Sequence, residues 1–320
     1  MSHQVLARKW RPQTFADMAG QQHVLQALGN ALDQQRLHHA YLLTGTRGVG
    51  KTTIARILAR CLNCDRGISR NPCGECGSCV EISEGRSIDL IEVDAASKTK
   101  VEDTRELLEN VQFAPTAARY KVYLIDEVHM LSNHSFNALL KTLEEPPPHV
   151  VFVLATTHPQ KIPATVLSRC LQFHLKNLAE PLLVERMQHI VEAEGLAAEE
   201  PALLMLARAA AGSMRDALTL LEQASAFGDG KILAGQVGDM LGVIDGEVLT
   251  GLCDAIVQGD AGAALSVVDQ YMDRATDIVA LVDEMLVLFH RAAVEQAVPG
   301  AGVEAQLHAT AIARYAATLA

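Results

Sequence analysis

Residues 45–52 read Gly45-Thr46-Arg47-Gly48-Val49-Gly50-Lys51-Thr52, a match to the spacing G-x-x-x-x-G-K-[ST]. Glycines let the backbone turn so that its N–H groups point inward at phosphate oxygens. Lys51 is spaced to reach the outer phosphates of a nucleotide, and the Thr52 hydroxyl to ligate magnesium. Upstream, residues 40–46 (AYLLTGT) form an apolar run ending in glycine, a buried strand entering a loop. Downstream, Ile54, Leu58, Cys61 and Leu62 fall on one helical face, and that helix offers its positive dipole end to the same anion. In this context the whole stretch, through Thr53, becomes a candidate phosphate cradle.

The alternation continues outward. Strand-like runs cover 89–93 (DLIEV), 121–125 (KVYLI) and 150–155 (VVFVLA), with helical patterns at 101–111 and at 135–145, the latter stopped by three prolines. Apolar strands alternating with helices predict an α/β domain on a parallel sheet covered on both faces. After about residue 178 the strand runs cease. Helices are expected over 182–194, 201–211 and 214–227, with Pro201 in a first turn, Gly212 as a stop and Ser213 as a cap. More helices follow, including 278–287. The expected division is an α/β domain over 1–179, a helical domain over 180–242 and a second helical domain over 243–320.

Asp126 and Glu127 close the third strand. A carboxylate at such a strand end holds magnesium, usually through water, and Glu127 is placed to polarise an attacking water as general base. An ordinary surface acidic pair is the alternative. Thr156-Thr157-His158 ends the last expected strand, where a polar side chain can position that water; Thr157 is favoured over Thr156.

Five of the seven cysteines crowd into the insert at 61–80. Cys64, Cys73, Cys76 and Cys79 supply four thiolates with glycines between them, a donor set suited to a closed structural zinc site. Cys61 is a rival ligand, but its place on the apolar helix face favours a core thiol. A redox dithiol is the competing reading of the cluster.

Apolar residues make up 49% of the 320 residues, enough for real cores, while aromatics at 4% favour helices over an all-β sandwich. No apolar run reaches the ~18–20 residues of a membrane span, and the start MSHQVLARKW has no secretory pattern. A cytoplasmic protein with no membrane partner is expected. Net charge is −11, but unevenly spread: residues 1–179 hold 20 basic and 17 acidic side chains, residues 180–320 hold 7 and 21. The first part is therefore the one suited to a polyanion.

Two arginines complete the constellation. Arg169, in Ser168-Arg169-Cys170, and Arg215, in Gly212-Ser213-Met214-Arg215-Asp216, can each stabilise charge on a transferring phosphoryl group. A lone surface arginine and a local pair with Asp216 are the ordinary alternatives.

Together these motifs resemble those of the AAA+ clamp-loader ATPases, in particular the bacterial DNA polymerase III gamma/tau family. Ala7-Arg8-Lys9-Trp10-Arg11-Pro12 with Phe15 and Gly20-Gln21 is similar to the family's adenine-side segment. Residues 126–131 (DEVHML) are similar to its magnesium motif, and 139–146 (LLKTLEEP) to the helix end beyond that motif. Ser168-Arg169-Cys170 matches the arginine finger, Gly212-Ser213-x-Arg215-Asp216 the sensor-2 motif, and the cysteine spacing the bacterial subfamily. The likeness extends from residue 1 to about 290.

The resemblance implies a parallel-sheet P-loop AAA+ domain with a zinc insert, a helical lid and a helical collar that assembles a five-membered ring. It implies ATP, Mg2+ and Zn2+ as cofactors, Ala7, Trp10, Arg11 and Pro12 as base-side contacts, and Lys51, Asp126, Glu127, Thr157, Arg169 and Arg215 as the hydrolytic set, with Arg169 acting on a neighbour's ATP. The implied partners are other loader subunits, a sliding clamp and primer–template DNA, with Lys98, Lys100 and Arg105 facing the DNA backbone. The sequence stops at Ala320, short of the extension of tau forms, so polymerase and helicase contacts are left unassigned and the collar is expected to be partial. The polymerase (nucleotidyltransferase) label of such subunits belongs to the holoenzyme. A non-hydrolysing scaffold subunit and a DNA-translocating motor are the alternatives; a complete phosphate loop argues against the first, and the cysteine insert against the second.

Overall fold

Five parallel strands organise the molecule: β1 (Ala40–Thr44), β2 (Leu90–Asp94), β3 (Lys121–Asp126), β4 (Val150–Thr156) and β5 (Leu171–His174). Their order across the sheet is β2-β3-β4-β1-β5. The computed structural model describes residues 5–97, 110–242, 246–272, 278–299 and 309–318. Lys98, Lys100, Arg105 and nearly all of the expected helix 101–111 lie outside the described residues.

β1 and β4 are buried at every position because helices cover both faces, which is why they read as unbroken apolar runs. The helices of this part are α1 (Leu6–Lys9), α2 (Gln22–Asp33), α3 (Lys51–Asn63), α4 (Gly77–Glu84), α5 (Asn133–Glu144) and α6 (Ala164–Leu167). Side chains alternate between two cores. Tyr41, Leu43, Val122 and Leu124 pack with Ile54, Leu58 and Leu62 of α3. Leu42, Tyr123, Ile125 and Phe152 pack with Phe136, Leu139 and Leu143 of α5. Pairing is in register at the C-terminal edge, with Asp94 opposite Asp126 and Thr44 opposite Thr156.

β5 departs from the expectation that strands end at 155. It pairs with β1 at the sheet edge, and its side chains are mostly exposed, so it lacks an apolar run. Helices α7 (Glu180–Glu194), α8 (Glu200–Ala209) and α9 (Met214–Phe227) follow, with a short parallel pair β6 (Ala197–Ala198) and β7 (Lys231–Ile232). The Ser213 hydroxyl accepts the Asp216 N–H and caps α9. All of this is one compact unit, Met1–Ile232; a second begins at Leu233, ahead of the expected 242/243 boundary. The second unit contains α10 (Ala234–Leu241), α11 (Gly246–Gln258), α12 (Ala261–Met272), α13 (Ile278–Ala297) and α14 (Ala309–Thr318). Its core gathers Leu252, Cys253, Tyr271, Leu288, Ile312 and Tyr315. Among the described residues no helix is long and apolar enough to cross a membrane.

One buried carboxylate fixes the connection into β3. Asp89, 4% exposed, accepts the backbone N–H groups of Thr116, Ala117 and Ala118 at 2.8–2.9 Å. Burial alone would raise its pKa, but these bonds outweigh it and hold the carboxyl below the usual range. Its contribution is therefore complete above the unfolded pKa near 4 and is lost as pH falls through the lower folded value. Asp89→Ala should cost about 2–3 kcal/mol at pH 7 in chemical denaturation, and the gap from the parent should shrink below about pH 4.

Candidate functional site

The turn from β1 into α3 is built on glycine. Gly48 has φ +78°, and a Cβ there would overlap Ser213 Oγ. Only a residue without a side chain allows the loop and the start of α9 to approach so closely. Lys51 is 6% exposed, and its Nζ donates to the carbonyls of Gly45 and Thr46, both at 2.8 Å. Burial lowers its pKa, while the Glu127 and Asp126 carboxylates act in the opposite direction.

At the sheet edge, Thr52 Oγ1 donates to Asp126 Oδ2 at 2.8 Å, so two oxygen donors of the kind magnesium takes converge there. Glu127 has left-handed backbone, φ +47°, an uncommon state for a residue with a Cβ. Its Oε2 accepts from Thr157 Oγ1 at 2.9 Å and from Thr157 N at 3.2 Å. Thr156 is fully buried, bonded to His129 and to the His158 N–H. The two threonines therefore differ: Thr157 meets the Glu127 carboxylate, and Thr156 braces the layer beneath. His129 Nδ1 lies 3.3 Å from Glu127 Oε2, and burial lowers its pKa against the pull of that carboxylate.

A cavity of about 650 Å³, within the size range of small-ligand pockets, opens over Lys51, Thr52, Asp126 and Glu127, whereas Thr157 and His129 do not line it and meet it only through Glu127. Ala7, Trp10, Arg11 and Pro12 line it from the N-terminal segment, Arg47 through Thr53 from the loop and α3, and Arg215 from α9. Gly45 and Thr46 do not line it. Gly45 serves Lys51, and Thr46 Oγ1 donates to Asn177 Oδ1 at 2.6 Å. Val49 lines the cavity although the residue is 2% exposed and belongs to the core. Six cationic residues line the cavity (Arg11, Arg47, Lys51, Arg56, Arg186, Arg215) against four carboxylates. Arg11 has its pKa lowered by burial and by Arg56 and Arg215 beside it. Such crowding favours a polyanion as occupant. Arg56 and Arg186 were not anticipated. Arg56 stands four residues after Thr52, one helical turn along the same face, a signal the sequence carries.

Arg169 does not join this cavity. It bonds Glu144 Oε1 and the Thr165 carbonyl, each at 2.7 Å. The sulfurs of Cys64, Cys73, Cys76 and Cys79 lie within 4.8 Å of one another. Four Zn–S bonds of ~2.3 Å place tetrahedral sulfurs roughly 3.8 Å apart, so this set fits zinc with small adjustment. N–H groups approach three of the four sulfurs: Cys73 N to Cys64 at 3.3 Å, Cys76 N to Cys73 at 3.4 Å, and Asp65 N to Cys76 at 3.5 Å. Cys61 stands apart, fully buried in the core, its thiol pushed up to about 12 by burial.

Sheet order, glycine loop, strand-end acids and helical cap define a P-loop nucleotide-binding domain of the AAA+ class. A family model described as DNA polymerase III, delta subunit, matches residues 20–179. The clamp loader subunit ATPase lid domain matches 183–230, and DNA polymerase III subunits gamma and tau domain III matches 232–320. The chain is 58% identical over 301 residues to the DNA polymerase III subunit tau of Escherichia coli K12, covering 94% of this chain and 47% of that one. It is 47% identical over 299 residues to the gamma subunit of Buchnera aphidicola from Acyrthosiphon pisum, covering 93% and 83%. The chain belongs to the bacterial DNA polymerase III gamma/tau family, and spans about half the length of the tau subunits it matches. Among solved structures, the Thermotoga maritima RuvB Holliday junction branch migration motor aligns with TM-score 0.54 at 21% identity, over 77% of this chain and 79% of that one. That likeness is one of fold.

The Gly48 approach gives a direct check. Gly48→Ala adds a methyl that overlaps Ser213 Oγ at a positive-φ position. It should weaken binding of a fluorescent ATP analogue at least tenfold while the melting temperature falls only a few degrees.

Proposed function

We propose that this chain is an ATP-hydrolysing subunit of a bacterial clamp loader, which uses ATP to open a ring-shaped sliding clamp and place it on primer–template DNA. The observation that carries the reading is the bonded series at the sheet edge: Thr52 on Asp126, and Thr157 on Glu127, beside buried Lys51. A scaffold that never hydrolyses has no need of it.

In this reading Ala7, Trp10, Arg11 and Pro12 hold the base, the loop N–H groups and Lys51 hold the phosphates, and Arg215 reaches the terminal phosphate from α9. Thr52 and Asp126 would hold magnesium, which when bound offsets charge on the phosphate oxygens. Glu127 takes the proton of the attacking water, and Thr157 orients that carboxylate. Arg169 acts on ATP held by an adjoining subunit in a five-membered ring. Cys64, Cys73, Cys76 and Cys79 would hold zinc, which when bound supplies local folding energy to an insert lacking a core of its own. Residues 1–179 form the ATPase domain, with the lid following from 180 to 232 and the collar from 233 to 320, in place of the expected 242/243 boundary. The site of action is the cytoplasm, and nucleotide joining is no part of the proposal.

The test is DNA-stimulated ATPase, measured on the chain alone and then with clamp and partner subunits. Lys51→Ala should abolish ATP binding. Arg169→Ala should keep ATP binding within about twofold yet lose ~10³-fold or more of the ring's turnover; equal loss of both would refute the trans role. Separately, Cys73→Ser with Cys76→Ser should remove about one zinc per chain and lower the melting temperature, read by elemental analysis and calorimetry. Full retention of metal and melting point would exclude a structural zinc site.

A further inference from the structure

Gln13 follows the Trp10-Arg11-Pro12 stretch that lines the cavity, and both ends of its side-chain amide are used. Nε2 donates to the Arg11 carbonyl at 3.0 Å. Oε1 accepts from Arg60 Nη1 at 2.8 Å and from Ser83 Oγ at 3.0 Å. Arg60 is donor-only and a carbonyl is acceptor-only, so these partners fix which way the amide faces. Arg60 is 4% exposed and also donates to the Gln13 backbone carbonyl.

Ser83 belongs to α4, the helix that starts immediately after Cys76 and carries Cys79. Its single hydroxyl proton is shared between Gln13 Oε1 at 3.0 Å and the Cys79 carbonyl at 2.8 Å. On the other side, Lys9 Nζ and Trp10 Nε1 donate to Glu194 of α7 at 2.7 and 2.6 Å. Residues 10–12 are thus strung between a lid helix and the helix of the cysteine knuckle. They lie beyond the end of α1, to which Trp10 N and Arg11 N still bond at the Leu6 and Arg8 carbonyls (2.9 and 3.4 Å), so Gln13 supplies the anchor on their C-terminal side.

We propose that Gln13 is a positioning residue that ties the base-side segment to the cysteine knuckle, coupling order in α4 to nucleotide affinity. The inference rests on the reading of the cavity as an ATP site. With Gln13 in place, residues 10–12 are ordered before ATP arrives; without it, that ordering is charged to binding, a loss of about three- to tenfold in affinity. By linkage, ATP must in turn quiet α4.

The experiment uses the full chain: Kd for a fluorescent ATP analogue, and amide hydrogen exchange over residues 77–84 with and without ATP. Gln13→Ala should bind three- to tenfold more weakly, Ser83→Ala should shift the same way, and Ser83→Thr, which keeps the hydroxyl, should match the parent. ATP should slow exchange over 77–84 in the parent and not in Gln13→Ala. A Kd within twofold of the parent in both alanine variants, or ATP protection of 77–84 that persists in Gln13→Ala, overturns the coupling while leaving the ATP site standing. Failure of the parent to bind ATP overturns both.

Discussion

A nearly buried ammonium is the constraint around which the first unit is arranged. Lys51 sits at 6% exposure with two loop carbonyls as hydrogen-bond partners, a placement that desolvation opposes. It is sustained against both desolvation and the positive end of α3, which begins at this residue, by the Asp126 and Glu127 carboxylates at the adjoining strand end, while glycines let the loop fold over it. Further cations, Arg11, Arg56 and Arg215 among them, line the same cavity. Held in water, such charges would spread apart. Held by the sheet edge and lid helices, they form a concave positive surface whose natural counter-ion is a chain of phosphates.

Sheet order turns that electrostatic site into a chemical one. β4 lies between β1 and β3, so the threonines at its end stand beside both the phosphate loop and the acid pair. Thr157 reaches Glu127 for this reason alone; in a sheet with β1 and β3 adjacent it would have no such neighbour. The paired hydroxyl, the N–H of the same residue and His129 leave the Glu127 carboxylate few orientations. Burial disfavours the charged form of the His129 imidazole while the Glu127 carboxylate beside it favours that form.

Much of this was legible in the sequence, because the relevant signals are local. A glycine loop between an apolar strand and an amphipathic helix, an acid pair at a strand end, and thiols two residues apart each carry their geometry in their spacing. β5 escaped because an edge strand need not be apolar, and half its logic is the exposed side. Helix α4 escaped because its short span is dominated by small polar residues and two buried side chains, Cys79 and Ile82. The Arg60–Gln13–Ser83 contact and the Glu194 anchor were invisible for a different reason. Each joins residues far apart in the chain through polar groups that any solvent-facing segment carries.

Under the proposed function, Arg169 rests on a weak contact and is called to a strong one. Its partner Glu144 has a side chain half exposed, and the arginine itself is a third exposed. Such a pair contributes ~0–1 kcal/mol, so releasing it costs little. An arginine brought to a transferring phosphoryl group lowers the barrier by far more, since factors of ~10³–10⁵ correspond to about 4–7 kcal/mol. In the proposed ring the finger is therefore parked on a contact that holds its direction without competing with its task. In that proposed role, a deeper or bidentate pair at this position would raise the cost of releasing the guanidinium.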